Sequence, residues 1–75
     1  MSKKRTGTMI GFAERLDQLI YESGMTNRQI GDMVGRERKA IGLYRTGAGI
    51  PDGVVICKLC SVLKTTPNYL LLGKE

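Results

Sequence analysis

One short segment concentrates side chains that donate hydrogen bonds. If residues 37 to 46 form a helix, successive side chains are about 100° apart around its axis. One side of that helix then carries cations, a hydroxyl and a bare backbone position: Arg38, Lys39, Gly42, Arg45 and Thr46, with Leu43 at the margin. No carboxylate lies on that side. A surface that offers donors without acids suits the electronegative major groove of DNA, which is wide enough to admit a helix.

The elements that must hold this surface can be predicted from the neighbouring residues. Ala40, Ile41 and Tyr44 fall on the opposite side of the helix and are expected to pack inward. A preceding helix should begin at Thr26 and end at Gly35, because threonine is a common N-cap and glycine a common C-terminal cap. The segment therefore predicts two short helices joined by a tight turn.

The residues inside the first of these helices agree with that prediction. Gln29 stands three positions after Thr26, which is the spacing of a capping box. Ile30, Met33 and Val34 recur at helical spacing and give one apolar face. Gly31 has no side chain, so a second helix could approach it closely.

This segment resembles the helix-turn-helix of the lambda-repressor-like family, also called the Cro/CI or Xre family. The resemblance is carried by seven matching residues: Thr26, Gln29, Ile30, Gly31, Gly35, Ile41 and Tyr44. Residues 12–19, 50–52 and 58–71 and Gly73 fall where the family has helix 1, helix 4 and helix 5. The resemblance covers residues 10 to 73 and implies an all-α fold, a compact five-helix DNA-binding domain with a helix-turn-helix.

The resemblance also implies which side chains read bases. Arg38 and Lys39 stand where the family places base-reading residues. An arginine can form a bidentate pair with guanine O6 and N7, and Leu43 could meet a thymine methyl group. Gly42 removes a side chain where the family often has a reader, so the helix could approach DNA closely there. The alternative is that these residues are only the polar side of a surface helix.

A second group is expected to contact the DNA backbone and so to position the domain without reading sequence. Its members are Asn27, Arg28, Arg36, Arg45 and Thr46. Arg36 replaces the apolar residue that the family usually has after the turn glycine, and it should point outward, because burying an unpaired charge is costly. The family often pairs an arginine of helix 1 with a glutamate late in helix 3, whereas this chain has Ile20 and Arg45 there. Arg45 is therefore expected to be available to phosphate.

Composition limits the classes of protein to consider. The 75 residues suffice for one domain, and a hydrophobic content of 41% is enough for a small core. Twelve Lys and Arg against seven acids give a net charge of +5, which favours a polyanionic partner, although a merely basic soluble protein is the alternative. No signal peptide or membrane-spanning run is visible, so we expect a cytoplasmic protein with no membrane partner.

The two ends of the chain carry separate hypotheses. Residues 1–8 are predicted to be a basic flexible arm in which Lys3, Lys4 and Arg5 could contact DNA, or else an ordinary solvated terminus. Residues 9–75 are predicted to form the helix-turn-helix domain. Near the other end, one helical turn cannot bury successive leucines on one face, so Leu71 and Leu72 are candidate contacts in a homodimer.

Other chemistry has little support in the sequence. Cys57 and Cys60 form a C-x-x-C inside a predicted helix, where the second cysteine is better explained as a small core residue. A zinc site needs about four ligands, and the chain has no histidine and no third cysteine. No nucleophile and base converge, so we expect neither an enzyme nor a cofactor or metal.

The predicted function is sequence-specific binding of double-stranded DNA by a transcriptional regulator, most simply a repressor of phage or bacterial type. The family usually binds as symmetric dimers on two half-sites about 34–36 Å apart. An antitoxin-type autoregulator is compatible with the same chemistry. A protein-interaction module that kept the fold and lost DNA binding is the alternative of another class, and such a module should tolerate acids on the groove face.

Overall fold

The fold is entirely helical over residues 11–74, the part of the chain described by a computed structural model. Four α-helices, α1 (Phe12–Ser23), α2 (Asn27–Val34), α3 (Arg38–Thr46) and α4 (Gly53–Leu63), precede a short π-helical segment, Asn68–Leu72. The predicted five-helix, all-α fold is confirmed. The proposed basic arm, with Lys3, Lys4 and Arg5, lies outside the described residues.

One core holds these helices together. Its members are apolar and come from all five helices: Phe12, Leu16, Ile20, Ile30, Val34, Ile41, Tyr44, Val55, Leu59, Cys60 and Leu70. No polar or charged side chain is buried among the described residues. Fully burying one large aliphatic side chain stabilises a fold by about 1.5–3 kcal/mol, so this small core depends on each member.

The predicted N-terminal cap of α2 is present, and a side chain also caps α4. The Gln29 amide donates to the Thr26 hydroxyl at 3.1 Å, and the Thr26 amide donates to Gln29 Oε1 at 2.8 Å, which completes the capping box. Asp52 Oδ1 accepts from the Val55 amide at 2.9 Å and caps α4. Gly53 directly follows this cap and is the first residue of α4.

The turn between α2 and α3 depends on the glycine inside α2. A Cβ at Gly31 would collide with the Arg36 carbonyl oxygen, and the Arg36 amide donates to the Gly31 carbonyl at 2.9 Å. The predicted close approach at Gly31 therefore exists, but the partner is the backbone of the turn. Gly35 takes a left-handed φ of 78° and closes α2. These two glycines fix the direction in which α3 leaves the turn.

Arg15 of α1 forms hydrogen bonds with the backbone of the last segment, Asn68–Leu72. Arg15 Nε donates to the Leu70 carbonyl at 3.0 Å, and Arg15 Nη2 donates to the Leu71 carbonyl at 2.9 Å. Leu70 is fully buried, Leu71 is half-buried and Leu72 is 44% exposed. Part of the terminal apolar surface therefore stays open, as the sequence indicated. Along residues 11–74, no helix is both long and apolar enough to cross a lipid bilayer.

Candidate nucleic-acid interface

Helix α3 presents its polar side to solvent and its apolar side to the core. Ile41 is completely buried and Tyr44 is 8% exposed, while Ala40 is half-buried. Arg38, Lys39 and Thr46 are exposed on the outer side, where Leu43 is 42% exposed. The orientation of α3 agrees with the sequence prediction, and no other described segment covers these three polar residues.

The beginning of α2 lies beside the middle of α3. A Cβ at Gly42 would lie 3.6 Å from Asn27 Nδ2, an ordinary van der Waals distance. Asn27 is half-buried and Arg28 is exposed. One residue expected to contact phosphate therefore lies next to the α3 position at which close approach to DNA was expected.

Arg45 is engaged within the protein, contrary to the expectation that it would be available. Its Nε donates to Asp17 Oδ1 at 2.6 Å, which forms an ion pair between α3 and α1. Its Nη1 donates to Asn27 Oδ1, also at 2.6 Å, and the Arg45 side chain is only 22% exposed. An ion pair therefore joins α1 to α3 with the cation on α3, and its acid, Asp17, lies one helical turn before Ile20.

Arg36 points outward, as its charge required, and it also has a partner. Its Nη2 lies 3.2 Å from Asp52 Oδ2, and the two side chains are 44% and 59% exposed. An exposed ion pair of this kind contributes about 0–1 kcal/mol, so a phosphate could replace Asp52 at small cost.

The Thr46 hydroxyl donates to the Leu43 carbonyl at 3.1 Å, which holds the Thr46 side chain against the end of α3.

Glu37 is a residue of this surface that the sequence analysis did not single out. It is the exposed N-cap of α3, and its side chain makes no capping hydrogen bond. It lines an open groove of about 400 Å³ together with Gly35, Arg36, Lys39, Ala40 and Leu43. The outer surface therefore includes one acid at its edge. Because Glu37 is the N-cap and precedes the helix, the spacing of 100° per residue does not predict where its side chain lies.

The two cysteines occupy different environments. Cys57 is exposed and Cys60 is buried, so the interpretation of Cys60 as a core residue is confirmed. Burial, and secondarily the neighbouring Cys57, raises the pKa of the Cys60 thiol above its ordinary value of 9.0. Within residues 11–74, no group of three or more His, Cys, Asp and Glu side chains is arranged to hold a metal ion.

Comparison with known proteins gives two similarities that cover most of the chain. No model of a known protein family matches the sequence. Over 62 residues, 83% of the chain, it is 31% identical to the SPbeta prophage-derived uncharacterized HTH-type transcriptional regulator YonR of Bacillus subtilis (strain 168). The aligned region spans 57% of that relative's length.

The structural comparison concerns a repressor solved together with its DNA. The fold matches the P22 c2 repressor protein, crystallised in complex with synthetic operator 9T in the presence of Tl⁺, with a TM-score of 0.80 and 27% sequence identity. The match covers 84% of this chain and 96% of the repressor chain. In sequence the chain is therefore similar to a helix-turn-helix regulator, and in fold it is similar to the P22 c2 repressor.

Proposed function

We propose that this domain binds double-stranded DNA sequence-specifically and acts as a transcriptional regulator, most simply a repressor of the Cro/CI type. One observation carries the proposal: Arg38 and Lys39 are exposed on the first turn of α3, while Ile41 on its other side is fully buried. A helix held in this way can enter the major groove with its N-terminal residues against base edges. The similarity to a regulator and to a repressor solved with its operator supports the same function.

In this proposal α3 reads sequence. Arg38 donates two hydrogen bonds to a guanine, and Lys39 donates to a base or to a phosphate. Leu43, which is 42% exposed, meets a thymine methyl group. At Gly42 the bare backbone lets α3 come close to the base pairs.

A different set of groups positions the domain on the duplex. Asn27 and Arg28 lie in the first turn of α2, where unpaired amides and the helix dipole favour an anion. Arg36 can exchange Asp52 for a phosphate, and Thr46 lies at the exposed end of α3. The terminal residues Lys3, Lys4 and Arg5 extend this contact along the backbone or into a minor groove.

The domain binds as a homodimer on two half-sites in the cytoplasm. Leu72, which is 44% exposed, and the half-buried Leu71 form the proposed contact between the two copies. A symmetric dimer would place the two α3 helices about 34–36 Å apart, in successive major grooves on one side of the duplex.

An interaction module without DNA binding is the second candidate, and Glu37 is the observation that favours it. An acid beside Lys39 in the outer groove repels phosphate, although a carboxylate can also accept from cytosine N4. The two interpretations of Glu37 predict different outcomes for binding-site selection. If Glu37 reads cytosine, Glu37→Gln removes a base preference at one position of the site. If the surface binds only protein, no DNA sequence is preferred before or after the substitution.

Selection of binding sites from random duplexes, followed by a salt titration, tests the proposal. We expect enrichment of a two-fold symmetric sequence whose affinity falls with salt, with a slope of about −0.9 per neutralised phosphate on logarithmic axes. Arg38→Ala combined with Lys39→Ala serves as the control that removes the reading residues while leaving the core intact. Failure to enrich any sequence, or an affinity independent of salt, would exclude this function.

A further inference from the structure

We propose that Arg45 is a positioning residue that orients the Asn27 amide toward DNA, and that it is not itself a phosphate ligand. The inference rests on the proposed DNA-binding function and names how one of its contacts is built. Three helices meet at this cluster, which is defined by Asp17 of α1, Asn27 of α2 and Arg45 of α3. Arg45 donates a hydrogen bond to each of the other two residues, and both are 2.6 Å long.

The chemistry of the guanidinium determines which way the amide faces. A guanidinium only donates hydrogen bonds, so it can accept nothing from the Asn27 NH₂ group and must meet the oxygen Oδ1. The NH₂ group is then turned away from Arg45. It lies over α3, 3.6 Å from the position that a Cβ on Gly42 would take. Asn27 thus presents a donor at the border of the proposed reading surface.

The first turn of α2 adds to that donor. The capping box uses the amides of Thr26 and Gln29, and Asn27 and Arg28 occupy the first two positions of the helix, whose amides have no acceptor within it. A phosphate placed there would meet backbone N–H groups and the NH₂ group of Asn27. If the amide were reversed, its oxygen would face the phosphate and repel it. The orientation set by Arg45 therefore decides whether Asn27 attracts or repels DNA.

Asp17 explains why Arg45 is poorly suited to bind phosphate directly. The carboxylate lies 2.6 Å from Nε and neutralises the charge of the guanidinium. A move of Arg45 onto a phosphate would leave Asp17, which is 52% exposed, without its cation near a polyanion. The pair therefore adds no net charge to the binding surface. If Arg45 only positions Asn27, its loss should lower the affinity for DNA without changing the number of counterions that binding releases.

The first test compares Arg45→Met with Arg28→Ala on the selected duplex across a range of salt. Methionine keeps much of the length of the side chain and removes the donors. Because Arg45→Met alone would leave the Asp17 carboxylate unpaired, it is made together with Asp17→Asn, and we expect this change to lower affinity about tenfold, the scale of one hydrogen bond to a charged group, with the same preferred sequence and the same salt slope. Arg28→Ala, as the loss of a phosphate contact, should reduce the slope by about 0.9. A similar reduction for Arg45→Met with Asp17→Asn would overturn the inference.

The second test asks whether Arg45 acts through Asn27. In an Asn27→Ala background, Arg45→Met with Asp17→Asn should cost little further affinity, because no amide is left to orient. An equal tenfold loss in both backgrounds would mean that Arg45 acts independently of Asn27. Thermal unfolding of each variant shows whether the domain is folded at the assay temperature.

The third test exchanges the charges. Asp17→Arg with Arg45→Asp restores an ion pair between α1 and α3, but an acid at position 45 accepts from the Asn27 NH₂ group and turns the amide oxygen outward. We expect the thermal stability to return toward that of the original protein while the DNA affinity stays low. Recovery of both properties would show that Arg45 has only a structural role. If the unaltered protein binds no DNA, the proposed function itself fails, and this result is separate from the three above.

Discussion

Gly31 and Arg36 meet backbone to backbone: the Arg36 carbonyl occupies the space that a Cβ on Gly31 would need, and the Arg36 amide donates to the Gly31 carbonyl at 2.9 Å. This contact lets the chain leave α2 and enter α3 within three residues. Because α3 carries the proposed reading residues, the close contact between α2 and the turn sets the angle at which they are presented. A glycine in the middle of a short helix is thereby explained by the turn that follows.

Gly31→Ala should lower the free energy of unfolding by about 1–3 kcal/mol, since the added methyl group forces the turn backbone to move. Gly53→Ala is the matched control, because this helical glycine has nothing within 4 Å of the added Cβ. The control should raise stability by about 0.4–1 kcal/mol. Urea denaturation of the two variants measures both values, and equal stabilities would contradict the role given to the turn.

Gly42→Ala should separate stability from binding. The added Cβ would lie 3.6 Å from Asn27 Nδ2 without a clash, and alanine favours a helix interior over glycine by about 0.5–1 kcal/mol. We therefore expect a more stable domain that binds DNA less tightly, because the methyl group would keep α3 away from the bases. Fluorescence anisotropy with the selected duplex measures affinity, with Gly53→Ala as control. Unchanged affinity would show that α3 does not approach DNA closely at Gly42.

Arg38→Ala should relax the preference at one base position and cost about 1–3 kcal/mol against the preferred site. Arg28→Ala should weaken binding to all sequences to a similar extent, because it removes a phosphate contact. Site selection repeated with each variant distinguishes the two roles. The assignment of Arg38 as a base reader fails if its substitution leaves the selected sequence unchanged.

Leu72→Glu should weaken the proposed homodimer, because a charge would replace an apolar side chain that is 44% exposed. Val54→Glu is the control, since Val54 is 64% exposed on α4, outside the terminal segment. Sedimentation equilibrium of both variants reports the mass in solution. A dimer that survives Leu72→Glu and is lost with Val54→Glu would move the interface to the start of α4.

Cys57 should react with an alkylating reagent much faster than Cys60 at pH 8, because Cys60 is buried and its pKa is raised above 9.0. The raised pKa has a consequence for stability. Well below pH 9 the Cys60 thiol is protonated in both the folded and the unfolded chain. Above pH 9 the thiol ionises more readily in the unfolded chain, because its pKa is lower there, and this difference favours unfolding. The contribution of Cys60 to stability should therefore fall as pH rises above about 9.

Mass spectrometry after timed alkylation and urea denaturation across that pH range check this prediction, with Cys60→Ala as the control that lacks the titrating group. The raised pKa would be contradicted if the original protein and the control lost stability in parallel as the pH rose.

The helices, their caps and their buried faces were determined by the sequence itself. The capping box at Thr26 and Gln29 and the alternation of Ile41 with exposed residues on α3 depend on neighbours three or four positions apart, whose geometry is fixed once a helix forms. The same local rules placed Arg38 and Lys39 on the outer side of α3. For this reason the two helices of this segment, α2 and α3, and the outer side of α3 could be predicted from the residues alone, whereas the five-helix fold was implied by the resemblance to the lambda-repressor-like family.

The partners of the arginines were decided only by the tertiary structure. Arg45 meets Asp17 across 28 positions, Arg36 meets Asp52 across 16, and Arg15 meets Leu70 across 55. A long, flexible cation can satisfy several neighbours, and which one it reaches depends on how the helices cross. The sequence could show that Arg45 stands where the family often has a glutamate. Only the packing of α1 against α3 showed that Asp17 supplies the carboxylate that pairs with it.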